Sequence, residues 1–298
     1  MVLVAGGTGR LGTQVVHRLT ARHLKVRVLT RDPPRARHLD SYLVEVVRGD
    51  LREQDDAQQA TAGVSTVVSA IHGFAGVGDV SPRTVDGLGN SNLIRAAKAN
   101  GAEHFVLVSV QGAAPDHPME LFRIKYAAEE ELRGSGLAWT VIRPTAFMEF
   151  WAELIGAPLV NKGRTRIFGG GQNPINFVSA ADVARVVEQA VVDPSIRSET
   201  IEVGGPENLT FLQVAETFER ETGKTGKKSH VPLQMMRLMS VAMKPINPSL
   251  ARQIQAGVVM DTTDMTWDPA RNRHFPPGEL LSLAKIVRRD YEQSPARG

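Results

Sequence analysis

The first twenty residues limit most strongly what this chain can fold into. Met1-Val-Leu-Val-Ala5 is an apolar run of strand length, and Gly6-Gly7-Thr8-Gly9-Arg10-Leu11-Gly12 follows without a spacer. The next segment, 14–19, places Val15, Val16 and Leu19 at helical spacing. Strand, glycine turn and helix in that order are the context in which a glycine pattern points to a dinucleotide. The glycines fit two registers: Gly7, Gly9, Gly12 as G-x-G-x-x-G, and Gly6, Gly9, Gly12 as G-x-x-G-x-x-G. Both demand residues without a side chain, because the backbone must bend sharply and approach a pyrophosphate. The N–H groups and dipole of the following helix then face that anion. The bland alternative is a tight turn that binds nothing.

Strand and helix patterns go on alternating. Further strands are expected at 25–30, 42–48, 64–71, 104–109 and 139–144, with helices around 57–60, 92–98 and 120–132. Six strands separated by helices specify a parallel sheet covered on both faces, wound by right-handed crossovers, with its ligand crevice at the strands' carboxyl ends. Gly9, Arg31, Asp50, Ala70, Ser109 and Pro144 all fall at or just beyond such ends. An NAD site places an acid at the end of the second strand to hold the ribose 2′-hydroxyl. Here Thr30 stands at that end and Arg31 follows, a guanidinium able to pair with a 2′-phosphate. Asp32 lies in the turn before Pro33 and Pro34. NADP is therefore favoured over NAD.

The expected fold is α/β: a doubly wound parallel Rossmann sheet over 1–145 and a smaller mixed α/β substrate domain over 146–298. The two are partly interleaved, the second sharing late strands with the sheet. In the second half, residues 146–157 carry Phe147, Met148, Phe150 and Trp151, which read as cleft lining or as plain core. Segments 163–169 and 174–178 read as short strands flanking a glycine turn. Ser179 to Asp182 reads as a variant capping box, and Thr210 with Gln213 caps another helix. Segment 200–203 looks like a further sheet strand. Four methionines fall within 235–243, which suits a helix over an apolar substrate cleft or an irregular core gap. The tail after Tyr291 is expected to fray.

Composition excludes several classes. The 298 residues are 42% hydrophobic and 22% charged, ordinary for a globular chain with a full core. Although the sequence pI is about 9.3, 35 Lys+Arg against 32 Asp+Glu leave only +3, with no aromatic-rich basic stripe for nucleic acid. There is no cysteine, and the eight histidines show no metal-ligand spacing. Ser65, Ser109 and Ser135 lack a nucleophile elbow. With the first strand at Met1, no room is expected for a targeting peptide, and no apolar run reaches membrane-spanning length. A cytoplasmic protein without a membrane span is the expectation.

Gly6-Gly-Thr-Gly-Arg-Leu-Gly12, Gly49-Asp-Leu51, Phe105-Val-Leu-Val-Ser109, Lys125, Ser135-Gly-Leu137 and Ile142-Arg-Pro-Thr-Ala-Phe-Met-Glu149 occur in an order and spacing that resemble the NmrA-like, atypical branch of the short-chain dehydrogenase/reductases. The likeness is close through the first half and holds in outline to about residue 270. It implies an NADP(H)-binding Rossmann protein from a family mixing reductases of quinones and aryl ethers with members that bind the dinucleotide but catalyse little. Typical short-chain dehydrogenases carry Tyr-x-x-x-Lys on the helix that here reads Leu121-Phe-Arg-Ile-Lys125. Leu121 has no ionisable proton, and Tyr126 is one helical step, about 100°, away from the lysine. By resemblance, Lys125 is the catalytic candidate and a ribose ligand. It can serve proton transfer, hold only the ribose, or pair with Glu129 one turn on. Ser109 can hold a substrate oxygen or cap the strand end. His72, just after the fourth strand, reads as a loop residue.

The candidate cofactor contacts are Gly6, Thr8, Gly9, Arg10, Leu11, Gly12, Arg31, Asp50, Leu51, Ala70, Ser109, Lys125, Pro144 and Phe147; no metal is expected. The functional expectation is an NADP(H)-dependent oxidoreductase delivering hydride to an apolar conjugated acceptor, a quinone or enone, in the interdomain cleft. The alternative is a non-catalytic NADP(H)-binding redox sensor or an assembly or regulatory protein of the NmrA type, which would have a protein partner.

Overall fold

The computed structural model describes residues 1–273 and 280–292, so the tail after Glu292 lies outside the described residues. The chain divides into two units, one of 1–144 with 183–202, the other of 145–182 with 203–298.

The first unit is built on one sheet. Its strands are β1 (Val2–Ala5), β2 (Val26–Thr30), β3 (Val44–Arg48), β4 (Thr66–Ser69), β5 (His104–Val108) and β6 (Ala138–Pro144). The helices between them are α1 (Arg10–Ala21), α2 (Gln54–Thr61), α3 (Asn90–Ala99) and α4 (Glu120–Gly134). β1 pairs in parallel with both β2 and β4, β3 adds beside β2, and β5 and β6 continue beyond β4. The strand order β3-β2-β1-β4-β5-β6 therefore reverses between β1 and β4, the place where an open α/β sheet leaves a crevice at its carboxyl ends. The short apolar strands are legible in burial: all of β1, β4 and β5 are buried, as expected for strands covered on both faces. α1 seats Val15, Val16 and Leu19, all 0% exposed, contributing roughly 1.5–3 kcal/mol each in area removed from water.

The second unit carries β7 (Ala146–Phe147), α5 (Met148–Trp151), α6 (Ala157–Lys162), β8 (Arg164–Phe168) and β9 (Ile175–Val178). Most of α7 (Ala180–Val192) and of β10 (Glu199–Val203) belongs to the first unit, β10 lying beside β6 as the seventh strand of the large sheet, before the chain returns to the second unit. Next come β11 (Asn208–Leu209), α8 (Phe211–Thr222), β12 (Lys227–Val231), α9 (Leu233–Ala242), α10 (Pro248–Thr262) and α11 (Leu283–Glu292).

Several local expectations change here. Segments 163–169 and 174–178 do form strands, but they do not pair with each other. β8 pairs with β12, which the sequence reading missed, and β9 pairs with β7 and β11. The Gly169–Gly171 turn separates them, its N–H groups at Gly170 and Gly171 donating to the Asp261 carboxylate at 3.0 Å each. Thr210 and Gln213 make the reciprocal capping box at α8. At α7 the cap is different: Glu149 accepts from Ser179 Oγ (2.8 Å) and Ala180 N (2.9 Å), while Asp182 turns to Leu281 N at 2.8 Å. In 146–157 Met148 and Trp151 are core, Trp151 in ring contact with Phe211, on which Phe168 and Phe177 pack, whereas Phe147 and Phe150 are half-buried.

Candidate active site

The glycine turn is shaped by contacts that no side chain would fit. Gly6 has φ +82°, and a Cβ on it would lie 2.6 Å from the Ala70 carbonyl oxygen just past β4. A Cβ on Gly12 would stand 2.1 Å from the Gly6 oxygen, so the first turn of α1 lies directly against the loop. Gly9 differs: its nearest neighbour to a Cβ is Gly6 O at 3.2 Å, and it is exposed. Gly9 is also the N-cap of α1 and supplies no side-chain cap. The first amide groups of a helix have no intrahelical acceptor, so this end offers donors and the positive pole of the dipole to an anion. Thr8 and Leu11 are half-buried there, and Arg10 is exposed. A turn that a Cβ would fill, leading to a helix start without a side-chain cap, fits a pyrophosphate.

Charges of both signs stand at the ends of β2 and β3. Thr30 Oγ1 is engaged with the backbone of Asp32 at 3.2 Å, and Arg31 is exposed. Asp50 is gripped by Arg52, Nη2 to Oδ2 at 2.6 Å and Nε to both oxygens at 3.0 and 3.1 Å. That hydrogen bonding, with the Arg52 and Arg31 charges assisting, holds the Asp50 carboxyl below its ordinary range. Leu51 packs against the core of the sheet, and its carbonyl accepts from Asn92 Nδ2 at 2.9 Å. With Asp50 paired to Arg52, Arg31 and Arg48 are exposed cations at the ends of β2 and β3.

The ends of β4 and β5 hold the lysine. Lys125 on α4 is 4% exposed; its Nζ donates to Ile71 O and Val108 O, 3.0 Å each, and stands 2.9 Å from Asp86 Oδ1. An ammonium has three protons, and these three oxygens surround it. Asp86, 0% exposed, sits on the helical turn Pro82–Gly89 that runs into α3, and its Oδ2 accepts from Gly73 N at 2.7 Å. His72, whose side chain is exposed, still has its pKa pushed below the ordinary imidazole value by the protein around it. Lys125 adds to that depression and Asp86 opposes it.

Pairing of Lys125 with Glu129 is overturned. Glu129 is fully buried and receives Arg143 Nη2 at 2.6 Å, Arg133 Nη2 at 3.0 Å and Ser109 Oγ at 2.5 Å. The Ser109 hydroxyl is thus spent on α4, and its amide donates to Ile142 O at 2.7 Å, tying the end of β5 to β6. Pro144 is buried at the end of β6 and accepts from Gln111 N. Leu121 and Tyr126 are half-buried. Phe147 lies in the second unit on β7, half-buried and registered against Val178. Among the described residues, no group of three or more His, Asp or Glu could hold a metal. Sequence reasoning missed Asp86, since no local spacing links it to Lys125; the nearby Asn90 Nδ2 bond, 2.7 Å, goes to the main-chain oxygen of residue 86 and not to its carboxylate.

Residues 6–194 match the family model for NAD(P)H-binding proteins. The chain belongs to that NAD(P)H-binding family. This bears out the resemblance carried by the glycine turn and the Ile142–Glu149 stretch. An NAD(P)H azoreductase of Xenophilus azovorans is 29% identical over 282 residues, covering 91% of this chain and 94% of the relative. A photosystem II assembly factor, Ycf39, of Synechocystis is 28% identical over 239 residues, covering 80% and 72%. Among solved structures, an NADPH-dependent quinone oxidoreductase from Escherichia coli, complexed with NADPH, superposes with a TM-score of 0.79. It is 21% identical, with 98% of this chain and 100% of that chain covered, a likeness of fold.

Proposed function

We propose that this member of the NAD(P)H-binding family is an NADPH-dependent reductase acting on an apolar conjugated acceptor, a quinone or an enone. The observation that carries the reading is the pairing of Leu121 at the usual acid position with Lys125 enclosed by Asp86, Ile71 O and Val108 O. Reducing a simple ketone creates a localised alkoxide, which needs a protic group beside it. A quinone or enone spreads the charge over its conjugated system and can take its proton from water. The azoreductase relative, matched over nearly its whole length, supports a conjugated acceptor as well.

When bound, NADPH supplies the hydride; the chain supplies position and charge. Gly6, Gly9 and Gly12 let the backbone approach a pyrophosphate, with Thr8, Arg10 and Leu11 around it and the α1 dipole behind. Arg31 is assigned to a 2′-phosphate, and Asp50, Leu51, Ala70, Ser109 and Pro144 form the strand-end rim. Phe147 is assigned to the nicotinamide end by the family pattern. Lys125 acts as a positioning residue, a fixed cation joining the ends of β4 and β5 to α4, and the family pattern assigns it to the cofactor ribose.

The test is NADPH oxidation, followed by absorbance, with a panel of benzoquinones, naphthoquinones, enones, azo dyes and simple ketones. Turnover with conjugated acceptors and none with simple ketones is expected. A preference for simple ketones would overturn the acceptor class. A second reading, an NADP(H)-binding sensor or assembly protein, is supported by the assembly-factor relative. It would be adopted if no acceptor were reduced while NADPH altered binding to a protein partner.

A further inference from the structure

The residues between Glu221 and Asp261 include no Asp or Glu, where the chain's 32 acids in 298 residues would put about four. The same window carries Lys224, Lys227, Lys228, Arg237, Lys244 and Arg252. α9, the turn to α10 and the first residues of α10 lie at its centre and hold six of the twelve large hydrophobic side chains exposed among the described residues: Met235, Leu238, Met239, Val241, Ile246 and Leu250. Leu238 is 71%, Val241 70% and Ile246 76% exposed.

This is not a core helix with a frayed end. α9 is seated on α10 through Met236, 1% exposed, whose Cε lies close against Gly257. Met235, Leu238 and Met239, at i, i+3 and i+4, face solvent beside that seat. Arg237 and Lys244 flank them, both exposed and neither with an ion-pair partner among the described residues. Contiguous exposed apolar surface marks an interaction site. A short helix with bulky apolar side chains on one side, cations beside them and no acids matches the chemistry of an anionic lipid surface. Among the described residues no helix is long and apolar enough to cross a membrane, so contact would be from one side.

We propose that α9 and the α9–α10 turn dock on an anionic bilayer, Leu238, Val241 and Ile246 entering the acyl boundary while Arg237 and Lys244 meet lipid phosphates. The docking is independent of the reductase reading, and its test needs no activity. The full chain is mixed with phosphatidylcholine vesicles, with or without phosphatidylglycerol, and bound protein is measured by sedimentation. Binding is expected only to the anionic vesicles and should weaken as salt is raised. Leu238→Glu/Ile246→Glu should lower the partition coefficient by about tenfold or more, and so should Arg237→Gln/Lys244→Gln. These positions are exposed, so unchanged circular dichroism and unfolding temperature are expected for both variants. No binding to anionic vesicles overturns the proposal, as does binding that both variants keep. Concentration-dependent dimerisation in sedimentation velocity, lost in Leu238→Glu/Ile246→Glu without vesicle binding, would instead make this face a contact between copies and also overturn it.

Discussion

Replacing Lys125 by methionine keeps most of the side chain's length and removes its charge, which isolates what the buried cation does. Asp86 would then remain 0% exposed with a carboxylate whose only remaining polar contact in this cluster is Gly73 N at 2.7 Å. Ile71 O and Val108 O would each lose a donor at 3.0 Å. Removing one partner of a buried ion pair typically costs about 3–5 kcal/mol, chiefly through the uncompensated charge left behind. Against a total stability of about 5–15 kcal/mol this is a large fraction. The urea midpoint of Lys125→Met should fall accordingly. Lys125→Met/Asp86→Asn removes the stranded charge while keeping an acceptor for Gly73 N, and should recover roughly 2 kcal/mol or more of the loss. A Lys125→Met midpoint within about 1 kcal/mol of the parent, in the range of an exposed pair, would refute the buried-pair argument. At saturating NADPH a positioning lysine affects KM more than kcat. A collapse of kcat in a folded variant, with loss of a titration in its pH profile, would make Lys125 a proton donor instead.

Three further outcomes are expected. Arg31→Ala should lower NADPH affinity by about 1.5–3 kcal/mol in calorimetry and leave NADH nearly unchanged; equal parental affinities for both would remove the 2′-phosphate assignment. Gly9→Asp brings its Cβ to 3.2 Å from Gly6 O, a tight approach that the exposed turn must relieve by a few tenths of an ångström; once circular dichroism shows the variant folded, it should lose dinucleotide binding through repulsion of the pyrophosphate, and unaltered binding would place the nucleotide elsewhere. His104 is fully enclosed, and burial pushes its pKa down from 6.5 to about 4. Between those values the unfolded chain binds more protons, so stability should decline as pH drops from 6.5 towards 4, by about 3 kcal/mol at most. His104→Gln should flatten that difference in pH-dependent urea titrations, and parallel curves for parent and variant would contradict it.

The sequence alone determined the Rossmann half because its evidence is local. A strand, a glycine turn and a helix are written within twenty residues, and continuous apolar runs at β4 and β5 announce strands covered on both faces. Gly12 was legible for the same reason: the turn and the helix it presses on are neighbours in sequence. Partners across the fold were not. Lys125 meets Asp86 39 residues upstream, while Glu129 pairs with Arg133, four residues on, and with Arg143 on β6. An i,i+4 rule offers Glu129 two cations, Lys125 before it and Arg133 after it, and a buried charge takes the partners that the surrounding elements bring to it. Likewise β8 and β9 are close in sequence but pair into different sheets, since pairing depends on which unpaired strand edge lies alongside. Only the tertiary structure could show that α9 buries Met236 and leaves Leu238 and Val241 in water, because identical apolar side chains read alike until the neighbouring helix is in place.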